Sequence, residues 1–481
     1  MLINIAAVTL YAVLIVFVGL KGFRKTSSYN DFLLGGGTIG PWMTAFSYGT
    51  AYFSAVLLIG FAGKLGWGFG LSALWVALGN TLIGTLGVWL LLGERIKEST
   101  KKYGVQTMPE FLEARYSSPF FKGYSALAIF VFFIPYTAAV FMGLSYLFES
   151  TFGIDYTWIL LFMGVFTGVY LILGGYRSIA LIDVIFGIIM TIGVLLLLWF
   201  NLKQGGGLRG IIDSLRSVDA RLVAPVGPPG LLPLISLVFL TSVAPFAMPQ
   251  LLQKFYAVKD KRSVRIGTVA STVFALIVTS IAYFTGALTR IFLSPETTPG
   301  AFDQAGRPIF DALIPELLTN VVPATLTAVV LLLVLSASMS TLASLVLVSS
   351  STVTKDFFHG FIRKNASDRT LTILGRISSA FFIFLSMILA WTKPDVIVTI
   401  LSISWGAIAS VFLGPFIWGL FTERMGKGGA LTASIMGLAT CIILFAILGS
   451  KMIPQSASLG MLVSLIVPAF FLPFYGKSRN R

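Results

Sequence analysis

The sequence predicts an all-α polytopic membrane protein, and three observations predict it. Of 481 residues, 56% are hydrophobic and only 11% are charged; soluble domains carry about 25% charged residues, so lipid must be the solvent for much of this surface. Apolar blocks near the roughly 20 residues that a spanning helix needs recur along the whole length. The period-2 alternation of a membrane barrel is absent, so each block must be a helix that satisfies its own backbone hydrogen bonds.

Taken in order, thirteen apolar blocks stand out, at 3–20, 41–63, 70–92, 123–148, 157–175, 179–200, 231–253, 266–291, 321–352, 371–391, 395–420, 428–448 and 456–475. The first has no basic stretch before it and no small-residue cleavage site after it, so it reads as a retained helix rather than a signal peptide. An odd number puts the termini on opposite sides. With the N-terminus outside, 25 of the 34 basic residues fall in inside loops and 9 outside, so the positive-inside rule predicts an external N-terminus and a cytoplasmic C-terminus in the plasma (inner) membrane. The net charge of +15 is thereby topogenic and predicts no nucleic-acid partner. The one cysteine, Cys441, and the one histidine, His359, exclude disulfides and a Cys/His metal cluster.

No loop is long enough to hold a soluble catalytic domain, and no GxxxxGK[ST] phosphate loop is present. The chain therefore predicts no enzyme and no cofactor, and any energy must come from an ion gradient. The inside segment 93–122 contains GVQTMPEFLEARY, expected as a short amphipathic helix lying on the membrane. Outside segments 201–230 and 292–320, rich in Gly, Pro and mixed charge, are expected to act as gates or covers.

Three spans carry more than scaffold. Block 41–63 places Ser47, Gly49, Thr50 and Ser54 near its centre, a poor helix interior, and broken helices near the midplane expose backbone groups to ions and solutes. Block 231–253 contains Pro245 and Pro249, each of which removes a helix hydrogen bond. Two interrupted spans about 200 residues apart are the pattern of two inverted repeats of five helices. In the ninth block, Ala337, Ser340 and Thr341 stand at i, i+3 and i+4 and so share one helix face, offering the hard oxygen ligands that a small cation needs. The alternative readings are helix packing for the small residues, a simple kink for the prolines and back-bonding to their own helix for the hydroxyls. Asp183 is the one acid set inside a block, about one turn from the inner face; it reads as part of an ion path or as the partner of Arg177.

The segments YNDFLLGGGTIGPW (29–42), YGVQTMPEFLEARY (103–116), GGYRSIALIDVIFG (174–187), MSTLASLVLVSSSTVTKDF (339–357) and FTERMGKGGAL (421–431) together resemble the sodium:solute symporter family, and the likeness covers almost the whole chain. Thirteen helices fit its proline and pantothenate branch. The resemblance implies a leucine-transporter-like 5+5 inverted repeat with two broken helices, and alternating access. On that frame, 1–40 is an extra N-terminal helix and cytoplasmic loop, 41–200 the first repeat, 201–230 an external loop, 231–420 the second repeat and 421–481 two further helices.

Carried over by resemblance, sodium would be held by the carbonyls of Thr50, Phe53 and Ala337 and the hydroxyls of Ser340 and Thr341. Asp183 matches an acid on the inward ion path, with Ser344 beside it. Where some relatives place two adjacent hydroxyls for a second sodium, this chain has Ala343 and Ser344. The solute positions would be Tyr48, Tyr52, Ser54, Thr241, Ser242, Pro249 and Gln250. They contain no acid, whereas proline carriers have one where this chain has Tyr52 and aromatic residues at Thr241 and Pro245; Pro249 keeps the family pattern. The resemblance thus predicts a sodium-coupled symporter, functional as a monomer in the bilayer. Its solute would be a small carboxylate such as pantothenate or a monocarboxylate, or an amino acid such as proline. Proton coupling on the same fold and an uncoupled channel or facilitator are the alternatives; the first would prefer an ionisable ion site, the second a repeated pore motif.

Overall fold

The computed structural model describes residues 2–23, 29–34 and 39–471. Of the first segment quoted above, residues 35–38 lie outside the described residues, as do Arg24, Lys25, Lys477, Arg479 and Arg481 of the charge count. The described chain is helical almost throughout, as a backbone surrounded by hydrocarbon must be.

The first part holds α1 (Leu2–Phe23), α2 (Tyr29–Leu34), α3 (Pro41–Tyr52), a wider-wound π-helical turn (Val56–Ala62), α4 (Gly63–Phe69) and α5 (Leu74–Gly79). π-Helical turns at Asn80–Gly87 and Trp89–Gly93 then lead to α6 (Glu94–Tyr103), α7 (Met108–Tyr116), α8 (Pro119–Phe152), α9 (Tyr156–Gln204) and α10 (Gly207–Val218). The second part runs through α11 (Leu231–Val243), α12 (Pro249–Ala257), α13 (Lys261–Phe292), α14 (Leu313–Glu316), α15 (Ala324–Ser351), α16 (Asp368–Thr392), α17 (Ile397–Phe421), α18 (Lys427–Leu448) and α19 (Ile453–Phe471).

Among the described residues, nine helices are long and apolar enough to cross a membrane, or ten when the bent pair α11–α12 is one span. Thirteen is not reached by that measure. Leu2–Val18 and Tyr156–Val169 are short, and Pro41–Tyr103 forms one helical run where two blocks are expected. Helical backbone also continues through 176–178, between the fifth and sixth blocks; no proline there removes an N–H from the ladder. Within the first run, the chain turns at Gly70, with φ +60 and the Leu222 carbonyl 2.3 Å from where a Cβ would stand. Only glycine meets both demands.

α15 and α17 form the centre. The most apolar stretch of α17 is 94% buried, against 22% for α18, which therefore belongs to the lipid-facing rim. α15 packs on α9, α8 and α3, while α13 lies against α3 and α4. The α4–α13 crossing is close because it is made by glycines: a Cβ on Gly286 would stand 1.9 Å from the Ala62 carbonyl oxygen, and one on Gly66 2.0 Å from the Gly286 carbonyl carbon.

The segment expected as a surface helix is docked on protein instead. Thr107 caps α7 by accepting from the Glu110 N–H (3.2 Å), and the Glu110 carboxylate accepts from the Gln106 N–H (2.8 Å), a capping box displaced by one residue. Phe111, Leu112 and Tyr116 are buried, and the Tyr116 hydroxyl donates to the Pro415 carbonyl (2.6 Å). At the opposite end, the 292–320 segment closes over α17. Asp311 accepts from the Ile397 N–H (3.0 Å), and burial pushes its carboxyl up to about 7 despite that bond and the nearby Lys64 ammonium.

Candidate functional site

Proline at position 41 opens α3, and the helix stops at Phe53, whose backbone is extended (φ −109, ψ 96). Beyond the stop, the Ser54 hydroxyl accepts from the Val56 N–H (3.2 Å), and the Ala55 N–H is taken by the Ser338 hydroxyl of α15 (3.1 Å). The break is thus held open by the ninth block as well as by its own sequence. Ser338 is a contact across the break that spacing alone did not single out.

At this break the face Ala337–Ser340–Thr341 meets α3. The Thr341 hydroxyl stands 3.0 Å from the Ala337 carbonyl, 3.1 Å from that of Ala51 and 3.3 Å from that of Thr50. One hydroxyl proton cannot satisfy three carbonyl oxygens. The Ser340 hydroxyl shares a 2.8 Å hydrogen bond with the Thr50 hydroxyl, which also reaches the Phe46 carbonyl at 2.7 Å. Thr50, Ala337, Ser340 and Thr341 are all fully buried. Buried hydroxyl and carbonyl oxygens from two helices converge here, and hard oxygens of this kind are what a small cation takes as ligands. The Ala51 carbonyl, one position past Thr50, joins the expected residues here, while Phe53 follows at the stop of the helix.

Asp183, on α9, is fully buried, and among the described residues neither carboxylate oxygen has a hydrogen-bond partner. Around it lie Ser47, Thr50 and Ser340, with Lys254 facing it. The described neighbours of Asp183 thus include the α3 and α15 hydroxyls, Lys254, Tyr11 of α1 and Tyr176 of its own helix. Lys254 itself corrects the reading of block 231–253, which places it in a loop. It lies within α12, 1% exposed, and donates to Ser344 at 2.9 Å.

One further layer toward the 292–320 cover, a narrow cavity is lined by Tyr52, Ser54, Thr241, Phe53, Val56, Leu57, Phe61, Asn80, Tyr136, Tyr283, Leu401 and Trp405. It measures about 30 Å³, room for a few waters at most, so admitting a solute requires its walls to part. Tyr52 donates to the Thr241 carbonyl across the two broken spans (2.7 Å) and stacks on Trp405 of α17 (5.8 Å, 30°). Tyr136 meets the same indole edge-on (5.8 Å, 72°).

The remaining expected positions are set back from this cavity. Tyr48 donates to the Gly84 carbonyl (2.9 Å), and Ser242 faces the Asn80 amide oxygen (3.4 Å). Pro249 borders a smaller cavity toward α7. Gln250 lies beside the Tyr136 hydroxyl, with neither amide atom partnered among the described residues; the Trp405 indole N–H is likewise unpartnered. The cavity contains no charged side chain. Asn80, Tyr136, Tyr283 and Trp405 are the lining residues with polar groups that reading the sequence missed, alongside the apolar Val56, Leu57, Phe61 and Leu401, because an aromatic or amide inside an apolar block is indistinguishable from ordinary packing.

Comparison with known proteins gives a concordant picture. The sodium:solute symporter family matches residues 32–437. The high-affinity proline transporter PutP of Bacillus subtilis is 31% identical over 89% of this chain and 89% of its own. The sodium/pantothenate symporter of Escherichia coli is 29% identical over 95% and 94%. Among solved structures, a substrate-bound, outward-open Na+-coupled sialic acid symporter superposes with a TM-score of 0.82 at 15% identity, covering 98% of both chains; at that identity the likeness is one of fold.

Proposed function

We propose that this chain, which belongs to the sodium:solute symporter family, couples sodium entry to the import of a small carboxylate or amino acid by alternating access. It is an integral membrane transport protein, and its relatives are transporters rather than enzymes. The observation that carries the sodium reading is the convergence of the Thr50, Ala51 and Ala337 carbonyls on the single Thr341 hydroxyl, with Ser340 alongside. A desolvated sodium supplies the positive charge those oxygens lack, and none of these ligands titrates, which favours sodium over a proton.

The coupling follows from where the ligands sit. Thr50 and Ala51 belong to the broken span, and Ala337, Ser340 and Thr341 to α15. An ion bound to both fixes α3 against α15 and steadies the break whose far side, Tyr52 to Ser54, lines the solute cavity. Sodium first, then solute, then closure and inward release is the order this linkage supports, with Asp183 and Ser344 on the inward path. The solute-contacting groups are Tyr52, Ser54 and Thr241 on the broken spans, with Asn80, Tyr136 and Trp405 opposite. Tyr48, Ser242, Pro249 and Gln250 act from behind them.

We assign thirteen spans in a 5+5 inverted repeat, comprising 41–200 and 231–420, an external N-terminus and a cytoplasmic end that carries α6 and α7. That end gathers Lys102–Glu423 (2.6 Å), Lys122–Glu113 (2.9 Å) and Lys355–Glu110 (3.2 Å), in keeping with a basic cytoplasmic face. One monomer holds both sites. Each sodium entering down 100 mV releases about 2.3 kcal/mol, which supports roughly 50-fold accumulation of a neutral or zwitterionic solute. Proline and pantothenate, the solutes named for two relatives, are the first probes. Uptake into proteoliposomes that depends on an inward sodium gradient supports the proposal; equal uptake with sodium absent overturns it.

A further inference from the structure

Lys254 has no place in the mechanism above, yet its ammonium is buried at the heart of the ion path. It donates to the Ser344 hydroxyl at 2.9 Å and stands 5.1 Å from the centroid of the Tyr176 ring, a cation held over a π face. Asp183 is the acid that faces it, without closing a direct ion pair among the described residues. On its other side the same carboxylate faces Ser340 and Thr50, the hydroxyls of the sodium set.

We propose that the Lys254 ammonium is a tethered cation, seated between Ser344, Tyr176 and Asp183, that leaves the core a single free site for sodium. The charge balance of a buried region carries the inference. One carboxylate can compensate one positive charge in a medium of low dielectric, and Lys254 already supplies that charge from the protein. An ammonium bonded to a hydroxyl and set over an aromatic face, with the carboxylate nearby but not in direct contact, takes the position that a small monovalent cation would take beside Ser344. Sodium held by Thr50, Ala51, Ala337, Ser340 and Thr341 is then the only mobile charge, and the coupling ratio is one. Placement of the lysine on α12 adds a consequence. α12 is the second half of a broken span, so the fixed cation moves with that half-helix, and Asp183 is exchanged between lysine and sodium as the core rearranges.

This rests on the sodium reading, and equilibrium binding of radioactive sodium to the purified full chain separates the two. Wild-type protein should bind one sodium per chain with a Hill coefficient near one. Lys254→Ala exposes Asp183 and Ser344 to a second ion and should bind two; Lys254→Ala combined with Asp183→Asn should return to one, and Lys254→Arg should stay at one. Two sodium ions on the wild type, or an unchanged single site in Lys254→Ala, overturns the tethered-cation proposal. Absence of saturable sodium binding by the wild type instead overturns the sodium reading itself. Should Lys254→Ala fail to fold, the wild-type stoichiometry and the Lys254→Arg variant still decide.

Discussion

Replacing Thr341 by alanine removes the one side-chain oxygen that meets three carbonyls, at 3.0, 3.1 and 3.3 Å. A contact between a hydroxyl and a charged partner contributes about 1.5–3 kcal/mol. At about 1.4 kcal/mol per tenfold, the sodium concentration for half-maximal uptake should rise roughly 10- to 100-fold. The assay is the initial rate of solute uptake into proteoliposomes against external sodium, with Thr341→Ser as a control that retains the hydroxyl. A purely structural role is distinguishable, because Thr341 also bonds back to Ala337 within its own helix. Loss of that bond alone would lower the melting temperature and leave sodium dependence untouched. The melting temperature should also rise with added sodium in the wild type, and far less so in Thr341→Ala. A half-saturating sodium concentration within twofold of the wild type would refute the placement of the ion.

Three further outcomes follow from the packing and the solute cavity. Trp405→Phe keeps the ring that stacks on Tyr52 and deletes an indole N–H worth about 0.5–1.5 kcal/mol to a bound acceptor. The half-saturating solute concentration should therefore rise roughly 2- to 12-fold with sodium dependence unchanged; an unaltered solute affinity would remove Trp405 from the site. Gly286→Ala puts a methyl 1.9 Å from the Ala62 carbonyl oxygen, and overpacking against backbone costs about 1–3 kcal/mol or more, so the purified variant should melt clearly below the wild type. Asp311, pushed up to about 7, keeps its proton in the fold between about pH 4 and 7, where the unfolded chain has lost it. Stability from this group is accordingly lost as pH rises through that window. Melting temperature should fall from pH 5 to pH 8, and Asp311→Asn should flatten that slope; an unchanged slope in the variant would contradict the buried carboxyl.

Composition alone carried the class of fold, since 11% charge leaves no alternative to lipid as solvent. The broken spans were legible because proline and small hydroxyl residues disturb a helix locally, and the face Ala337–Ser340–Thr341 because helical spacing is a local property. What escaped depends on distant contacts. Lys254 sits one residue beyond an apolar block and reads as a loop charge; only the packing of α12 against α3 and α15 shows it buried against Ser344. The Ala51 carbonyl that meets Thr341 belongs to a residue with no side chain to advertise it, and the break is braced by Ser338 across 283 positions. Asn80, Tyr136, Tyr283 and Trp405 come to the cavity from four separate stretches of chain, which no periodicity connects. The helix at 108–116 was legible as an amphipathic helix, but not its docking on α17 through Tyr116 and Pro415.

The central claim is that sodium bound between α3 and α15 drives solute import. Its most direct test is uptake of proline and of pantothenate into proteoliposomes under three imposed gradients: sodium, potassium and protons. Accumulation above equilibrium under the sodium gradient alone, abolished in the double variant Ser340→Ala/Thr341→Ala, is the predicted result. Equal accumulation under a proton or potassium gradient, or a double variant with wild-type sodium dependence, would contradict it.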